Sequence, residues 1–127
     1  MTDPETLLST LYHVLRNPRR RCVIRILNEA QHQTFTTREL AREITSIEQG
    51  VPEEHATGEV YRNVYNSLSQ THLPTLSEAD VIVYDSTRQT VSPDQYLELA
   101  ALLLNNNTPT VEIFSTLCNT ESESDEQ

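Results

Sequence analysis

Apolar side chains recur every three or four residues in the first part of the chain, a spacing typical of amphipathic α-helices. A first helix is predicted to begin at Thr2, Asp3 and Pro4, because threonine and aspartate can cap a helix and proline fits its first turn. Asn17 and Pro18 repeat this signal. They end the first helix and begin a second, since the residue before a proline disfavours helical geometry.

Two further helix starts follow. Thr36 and Glu39 have the spacing of a capping box, in which each side chain bonds the other residue's backbone N–H. They predict a third helix of about three turns. Thr57 is the predicted cap of a fourth helix, which runs to about His72, with Pro74 just beyond its end.

The pattern changes after Pro74, where β-branched and aromatic residues replace the helical spacing. Residues 81–84 predict a strand, residues 85–88 a turn and residues 90–92 a returning strand. Together these segments predict a β-hairpin.

The C-terminal part holds three segments of different character. An apolar helix is predicted from Pro93 to the asparagines at 105–107. The pattern of residues 109–118 fits helix or strand. Residues 119–127 carry four acids and no aliphatic residue, so they predict a disordered acidic tail. Such a tail either keeps the protein in solution or competes with DNA for a basic surface.

Three helices, a longer helix and a hairpin, in this order, predict a winged helix. The fold class is mainly α with a small β-hairpin wing (α+β): a winged helix-turn-helix with extra N- and C-terminal helices. We assign this domain to residues 1–92, a dimerisation element to residues 93–118 and the acidic tail to residues 119–127.

Composition narrows the class of protein. The 127 residues include nineteen acids and nine bases, for a net charge of −10, and every base is an arginine. This acidic, lysine-free composition resembles that of cytosolic proteins from salt-loving archaea. Two cysteines in apolar surroundings and an acidic N-terminus predict a reduced, cytoplasmic protein. The longest apolar run is too short for a membrane span.

Three stretches stand out: NPRRR at residues 17–21, TRELA at 37–41 and VYNSLSQTHLP at 64–74. With them, residues 7–92 resemble a family of small haloarchaeal winged-helix domains of unassigned function. The chain is more distantly similar to the arsenic-repressor-like regulators, which are dimeric transcription factors. The resemblance implies a winged-helix fold and DNA binding.

Two positions depart from the pattern of the family that the chain resembles. Thr75 stands where that family usually has lysine, which removes an expected phosphate contact. Asp80 stands where it usually has glycine. This position follows a helix and favours left-handed geometry, which aspartate tolerates better than most residues.

The polar face of the fourth helix predicts contact with DNA bases. At 100° per residue, the apolar side chains form one arc. That arc consists of Val60, Tyr61, Val64, Tyr65 and Leu68. The predicted base-reading residues on the other arc are Arg62, Asn63, Asn66 and Gln70. Arginine can bond guanine, and asparagine or glutamine can bond adenine, in the major groove. Alternatively, this face is only the solvated side of an amphipathic helix.

Contacts to the DNA backbone are predicted at three other places. The second helix opens with Arg19, Arg20 and Arg21, where free N–H groups and the helix dipole also favour phosphate. The third helix opens with Thr37 and Arg38. Arg88 lies at the wing turn, where it would touch a phosphate or the minor groove. Alternatively, the three arginines pair with acids of another segment and Arg88 is only solvated.

The net charge opposes DNA binding, but the charge is unevenly distributed. Residues 1–72 carry eight arginines and nine acids, whereas residues 73–127 carry one arginine and ten acids. A locally basic face can therefore persist in the first part. In molar salt the Debye length is about 3 Å, so only direct contacts would contribute to binding.

The C-terminal helix predicts a homodimer. Between residues 96 and 104 only Glu98 is polar, and a helix that is apolar almost all round must be buried on several sides. The domain offers one side and a second copy offers another. The predicted interface consists of Leu97, Ala100, Ala101 and Leu104, and the leucine-rich first helix can join it. The alternative is that residues 111–117 cover this helix within the monomer.

Patterns for catalysis and metal binding are lacking. The four histidines are scattered, and no pair of cysteines or histidines has zinc-ligand spacing. The sequence therefore predicts no enzyme and no cofactor, but a dimeric transcription regulator that binds double-stranded DNA. The alternative is a winged-helix module that binds another protein, which Glu59 on the fourth helix, Thr75 and the acidic C-terminal half favour.

Overall fold

The fold begins with two helices and a short strand that leads into a third helix. In the computed structural model, which describes residues 3–30 and 33–105, these elements follow one another without long connections. They are α1 (Pro4–Leu15), α2 (Pro18–Ala30), β1 (Phe35–Thr36) and α3 (Thr37–Gln49).

A 3₁₀ turn at Glu53–His55 leads to the second half of the domain. Its elements are α4 (Gly58–Ser67), a π-helical turn (Leu68–His72), α5 (Leu73–Glu78), β2 (Ile82–Asp85) and β3 (Thr90–Pro93). The described part of a last helix, α6, covers residues 97–105. No helix among the described residues is long and apolar enough to cross a membrane.

Three of the four predicted helix caps make side-chain capping bonds. The Asp3 carboxylate accepts hydrogen bonds from the first backbone N–H groups of α1, and Asn17 Oδ1 accepts one from the Arg19 N–H at 2.9 Å. Thr36 and Glu39 form the predicted capping box. Thr57 occupies the cap position of α4 in extended geometry, but its side chain makes no capping bond.

The prediction that the fourth helix ends near His72 was wrong. Residues 58–78 are helical without interruption, because the π-helical turn carries the chain into α5. Proline lacks an N–H and clashes with the carbonyl four residues before it in an ordinary α-helix. The wider turn, in which the Leu73 N–H bonds to the Leu68 oxygen, places Pro74 in the first turn of α5, where proline is tolerated.

The predicted hairpin is confirmed and is part of a three-stranded antiparallel sheet with the order β1-β3-β2. Val91 of β3 lies opposite Phe35 on one side and Tyr84 on the other. The two-residue strand β1 was not predicted, because so short a segment has no recognisable alternation. Asp80, between α5 and β2, has a φ of 59°, which is the left-handed geometry expected there. The whole is a winged-helix-like α+β fold with extra helices.

One apolar core joins α1 to α6. Its largest fully buried side chains come from α1, α2, α3, the π-helical turn, α5, β2 and α6, and include Leu11, Leu15, Ile24, Leu27, Leu40, Ile44, Leu68, Leu73, Leu76, Ile82 and Leu104. Burial of this surface is the main stabilising contribution to the fold.

The predicted dimer stripe of the C-terminal helix belongs to this core. Leu97, Ala100, Ala101 and Leu104 are each at most 4% exposed and lie in the same cluster as the side chains of α1 to α5. This corrects the prediction that they meet a second copy, because the domain itself buries them. The helix begins at residue 97 and not at Pro93. The predictions for residues 109–118 and 119–127 lie outside the described residues.

Candidate nucleic-acid interface

Arg20 and Arg21, at the start of α2, bond the C-terminal carbonyl groups of α1. Arg20 is 9% exposed; its Nε donates to the Val14 oxygen at 2.9 Å and its Nη2 to the His13 oxygen at 3.2 Å. The Nη1 of Arg21 bonds the next two carbonyl oxygens along the chain, at 2.7 and 3.1 Å. The last four carbonyl groups of a helix lack regular intrahelical partners, and these two side chains bond the carbonyl groups of residues 13–16. The His13 oxygen also accepts a bond from the Arg16 N–H at 3.3 Å.

Arg20 also contacts His72 of the π-helical turn, with 3.4 Å between Nη1 and Nδ1. Burial, together with the charges of Arg20 and Arg19, lowers the pKa of His72. The neutral imidazole can therefore accept a hydrogen bond from the guanidinium. Burial likewise lowers the pKa of Arg20, which nevertheless remains a cation at neutral pH.

Arg19 forms a bidentate ion pair with Glu48 at the end of α3. Its Nε lies 2.8 Å from Oε2 and its Nη2 lies 3.0 Å from Oε1, while Nη1 donates to Ser67 Oγ at 3.0 Å. The hydrogen bond to this carboxylate raises the pKa of Arg19. One side chain thus joins α2, α3 and α4.

These contacts correct the prediction of a phosphate-binding patch at Arg19, Arg20 and Arg21. All three guanidinium groups bond groups of the protein itself, and Arg20 is buried. For Arg19 the predicted alternative is confirmed, because it pairs with an acid of another segment.

The other predicted site residues lie on the outer face of α4 and are exposed to solvent. Arg62, Asn63 and Asn66 are exposed, and so is Gln70 in the π-helical turn. Arg38, in the first turn of α3, is exposed beside them. A shallow depression brings two of these elements together, and its lining contains no acid: Arg38, Tyr61, Arg62, Tyr65 and Asn66.

The apolar arc of α4 is only partly buried. Val64 and Leu68 are fully buried as predicted, but Tyr61 and Tyr65 are half-buried, with ring centroids 6.2 Å apart. Val60, predicted to face the core, is 36% exposed. The two tyrosines therefore pack against the core and also line the depression. Helical periodicity does not reveal the second of these positions.

Thr37 is not available to DNA, which corrects a second prediction. It is fully buried, its Oγ1 donates to Gln89 Oε1 at 2.7 Å, and its backbone N–H donates to the Gln89 oxygen at 3.0 Å. Tyr84 Oη donates to the same Oε1 at 3.0 Å. Gln89, which has a φ of 55°, thus fixes the wing to the start of α3. Sequence analysis missed it because it resembles any polar turn residue.

Arg88 lies at the tip of the wing, with its side chain 83% exposed. The neighbouring Asp85 carboxylate accepts hydrogen bonds from the backbone N–H groups of Thr87 and Arg88, which shapes the turn. The Arg88 guanidinium is 4.0 Å from this carboxylate, so the ion pair is weak. Its position leaves the side chain able to reach outward.

Acidic side chains gather on another part of the surface. Four glutamates and Arg42 line a separate depression together with Phe35: Glu39, Glu43, Glu53 and Glu54. Burial, and then the charges of Glu53 and Glu29, raise the pKa of Glu43. A polyanion would be repelled here, whereas the lining of the depression beside α4 contains no carboxylate.

Nothing in the described part of the chain has the make-up of a metal centre. No group of three or more histidine, cysteine, aspartate or glutamate side chains there could hold a metal ion. Cys22 is half-buried, and burial raises the pKa of its thiol.

Comparison with known proteins identifies a family for this chain. No curated protein and no solved structure matches the chain. The family called domain of unknown function DUF7344 matches residues 12–92, which run from α1 to β3 and include the depression beside α4 and the wing. The chain therefore belongs to the DUF7344 family, whose function is unknown.

Proposed function

We propose that the chain is a transcription regulator that binds double-stranded DNA and places α4 in the major groove. The observation that supports this proposal is the acid-free depression where Arg38 of α3 meets Arg62 and Asn66 of α4. In helix-turn-helix proteins the second helix of the unit enters the major groove, and α4 holds this position after α3.

The exposed side chains have the chemistry for reading bases. The guanidinium of Arg62 can donate two hydrogen bonds to a guanine, and the amides of Asn63 and Asn66 can each bond an adenine. Arg38 is placed beside them to bond a phosphate, and Arg88 extends from the wing toward the flanking backbone. These contacts position α4 and supply sequence preference together.

The overall charge does not prevent this mode of binding. The glutamates that surround Arg42 lie outside the depression beside α4, and ten of the nineteen acids follow residue 72. Such a protein binds through a few direct contacts and not through long-range attraction. This mode of binding would suit the concentrated salt of a salt-loving archaeon, which the acidic, lysine-free composition favours as the source of the chain.

A protein-binding module is the second candidate function. Glu59 and Val60 are exposed on α4 next to Arg62. A carboxylate there would be repelled by phosphate, and an exposed valine is of no use to a base edge. A partner with a basic and apolar surface would fit both.

Selection from a randomised double-stranded DNA library separates these functions. The protein should enrich a defined sequence, and Arg62→Ala should weaken binding to it by about 5- to 150-fold, the range for losing one bidentate base contact. Arg42→Ala is the matched control, because it removes the same charge from the acidic depression. Binding should be measured at several salt concentrations.

Two results would overturn the DNA-binding proposal. One is that selection enriches no sequence at any salt concentration. The other is that Arg62→Ala and Arg42→Ala weaken binding equally, which would mean that only net charge matters.

A further inference from the structure

The outer face of α1 carries a continuous exposed stripe. Its members recur every three or four residues, and all of them are exposed: Glu5, Leu8, Ser9, Tyr12, His13 and Arg16. Leu8 is 43% exposed and Tyr12 is 37% exposed, whereas Leu11, Val14 and Leu15 on the other side of the helix are in the core. Two large apolar side chains are thus left in solvent on a helix that already has a buried face.

The charge of the stripe changes sign from one end to the other. An acid, Glu5, stands at the N-terminal end and a base, Arg16, at the C-terminal end, with Leu8 and Tyr12 between them. The two charges are eleven residues apart, about 16 Å along the helix, so they cannot pair with each other. Among the described residues, neither side chain makes an ion pair.

We propose that this stripe is a homodimer contact in which α1 packs antiparallel against α1 of a second copy. A two-fold axis between Ser9 and Tyr12 brings Glu5 against Arg16 of the partner subunit, and the same pairing recurs on the other side of the axis. The same register places the Tyr12 ring against Ser9 of the partner subunit. It also places Leu8 against His13 of the partner subunit.

Charge and size both favour a second copy over another occupant. A stripe with opposite charges at its ends is complementary to itself when it is reversed, and two-fold symmetry supplies this reversal. The large Tyr12 meets the small Ser9, so the two helices can approach closely. In a parallel arrangement, by contrast, Glu5 would face its own copy and Arg16 would do the same.

The proposal replaces the dimer contact first expected on α6, and it does not rest on DNA binding. One pair of helices buries a small interface, so association should be weak and concentration-dependent. It can be measured by sedimentation of the free protein, without DNA.

Charge reversal in pairs tests the contact between copies. At low ionic strength, where charges are little screened, Glu5→Arg alone and Arg16→Glu alone should each raise the dimer dissociation constant roughly tenfold. An equimolar mixture of the two variants should associate again, because each ion pair of the mixed dimer then joins opposite charges. The double variant should likewise regain the affinity of the original chain.

The matched controls are Glu54→Arg and Arg25→Glu, which reverse exposed charges outside α1. They should leave the dissociation constant unchanged, singly and mixed. Circular dichroism verifies that each chain is folded, and recovery in the mixture is itself evidence of folding.

Three outcomes would overturn the proposal. The first is an original chain that stays monomeric at the highest attainable concentration, as expected if its own C-terminal segment covers α1. The second is a dimer that neither single reversal weakens. The third is weakening by each reversal without recovery in the mixture, which would exclude the antiparallel register.

Discussion

Two sets of arginines have different roles in this molecule. Arg20 and Arg21 at the start of α2 satisfy carbonyl groups inside the protein, whereas Arg62 on α4 and Arg88 on the wing extend into solvent. The side chains are chemically identical. What differs is whether the surrounding backbone leaves acceptors without partners.

The difference follows from the connections between the helices. Only Arg16 and Asn17 separate α1 from α2, so the carbonyl end of α1 faces the first turn of α2. Guanidinium groups of that turn reach these carbonyl groups directly, and cations there also interact favourably with the helix dipole. The backbone around Arg62 is bonded within α4, so its side chain has no such acceptor. A count of arginines therefore does not measure the charge available to a ligand.

Of the changes that test this difference, the loss of Arg20 should have the largest effect on stability. Arg20→Ala leaves the carbonyl groups of His13 and Val14 without their side-chain donors, and the free energy of unfolding should fall by about 2–4 kcal/mol. Arg62→Ala, the control from the other set, should change it by no more than about 0.5 kcal/mol. Urea unfolding followed by circular dichroism measures both. Equal effects would show that the two sets do not differ in structural role.

A smaller effect concerns His72, the neutral partner of Arg20. Its folded-state pKa is lowered from 6.5, so the unfolded chain binds the proton more readily. The contribution of neutral His72 to the free energy of unfolding is therefore fully present above pH 6.5. As the pH drops below that value, the free energy of unfolding falls by at most about 1.4 kcal/mol per pH unit. His72→Gln should flatten this dependence between pH 6.5 and 5, above the range where most carboxylates titrate. An unchanged slope in this variant would assign the dependence to other groups.

The smallest expected effect is that of Arg88 on the wing. Arg88→Ala should weaken DNA binding only a few-fold, by a similar factor for all sequences, and should reduce the slope of log affinity against log salt by about 1. The stability of the protein should not change. Arg25→Ala, at an exposed position on α2, is the matched control. A change in the preferred DNA sequence would instead assign base reading to the wing.

Much of the fold was predictable because its signals are local. Asp3, Asn17 and Thr36 cap helices by bonding backbone N–H groups no more than three positions away. The hairpin strands are recognisable by their β-branched and aromatic residues. The strand β1 was not predictable, because its two residues become a strand only through pairing with β3. The uninterrupted helix through Pro74 was missed because a proline after a helical stretch normally marks its end.

The candidate site divides in the same way. The exposure of Arg62, Asn63 and Asn66 follows from helical periodicity, which a sequence displays directly. The burial of Thr37 depends on Gln89, 52 positions away, and the pairing of Arg19 depends on Glu48, 29 positions away. Such contacts exist only after the chain has folded, so no local pattern encodes them.

The π-helical turn has a consequence for how the core pattern should be read across Pro74. Leu68 and Leu73 are both fully buried although they are five positions apart, a spacing that places side chains about 140° apart on an ordinary α-helix. The wider turn adds a residue and brings both back into phase. It therefore acts as a one-residue insertion that the helix absorbs. Deleting Gln70 would leave Leu73 four positions after Leu68, about 40° away on an ordinary α-helix, so Leu73 and Leu76 would stay on the core side. Pro74 would then clash with the carbonyl group four residues before it, which the wider turn now avoids.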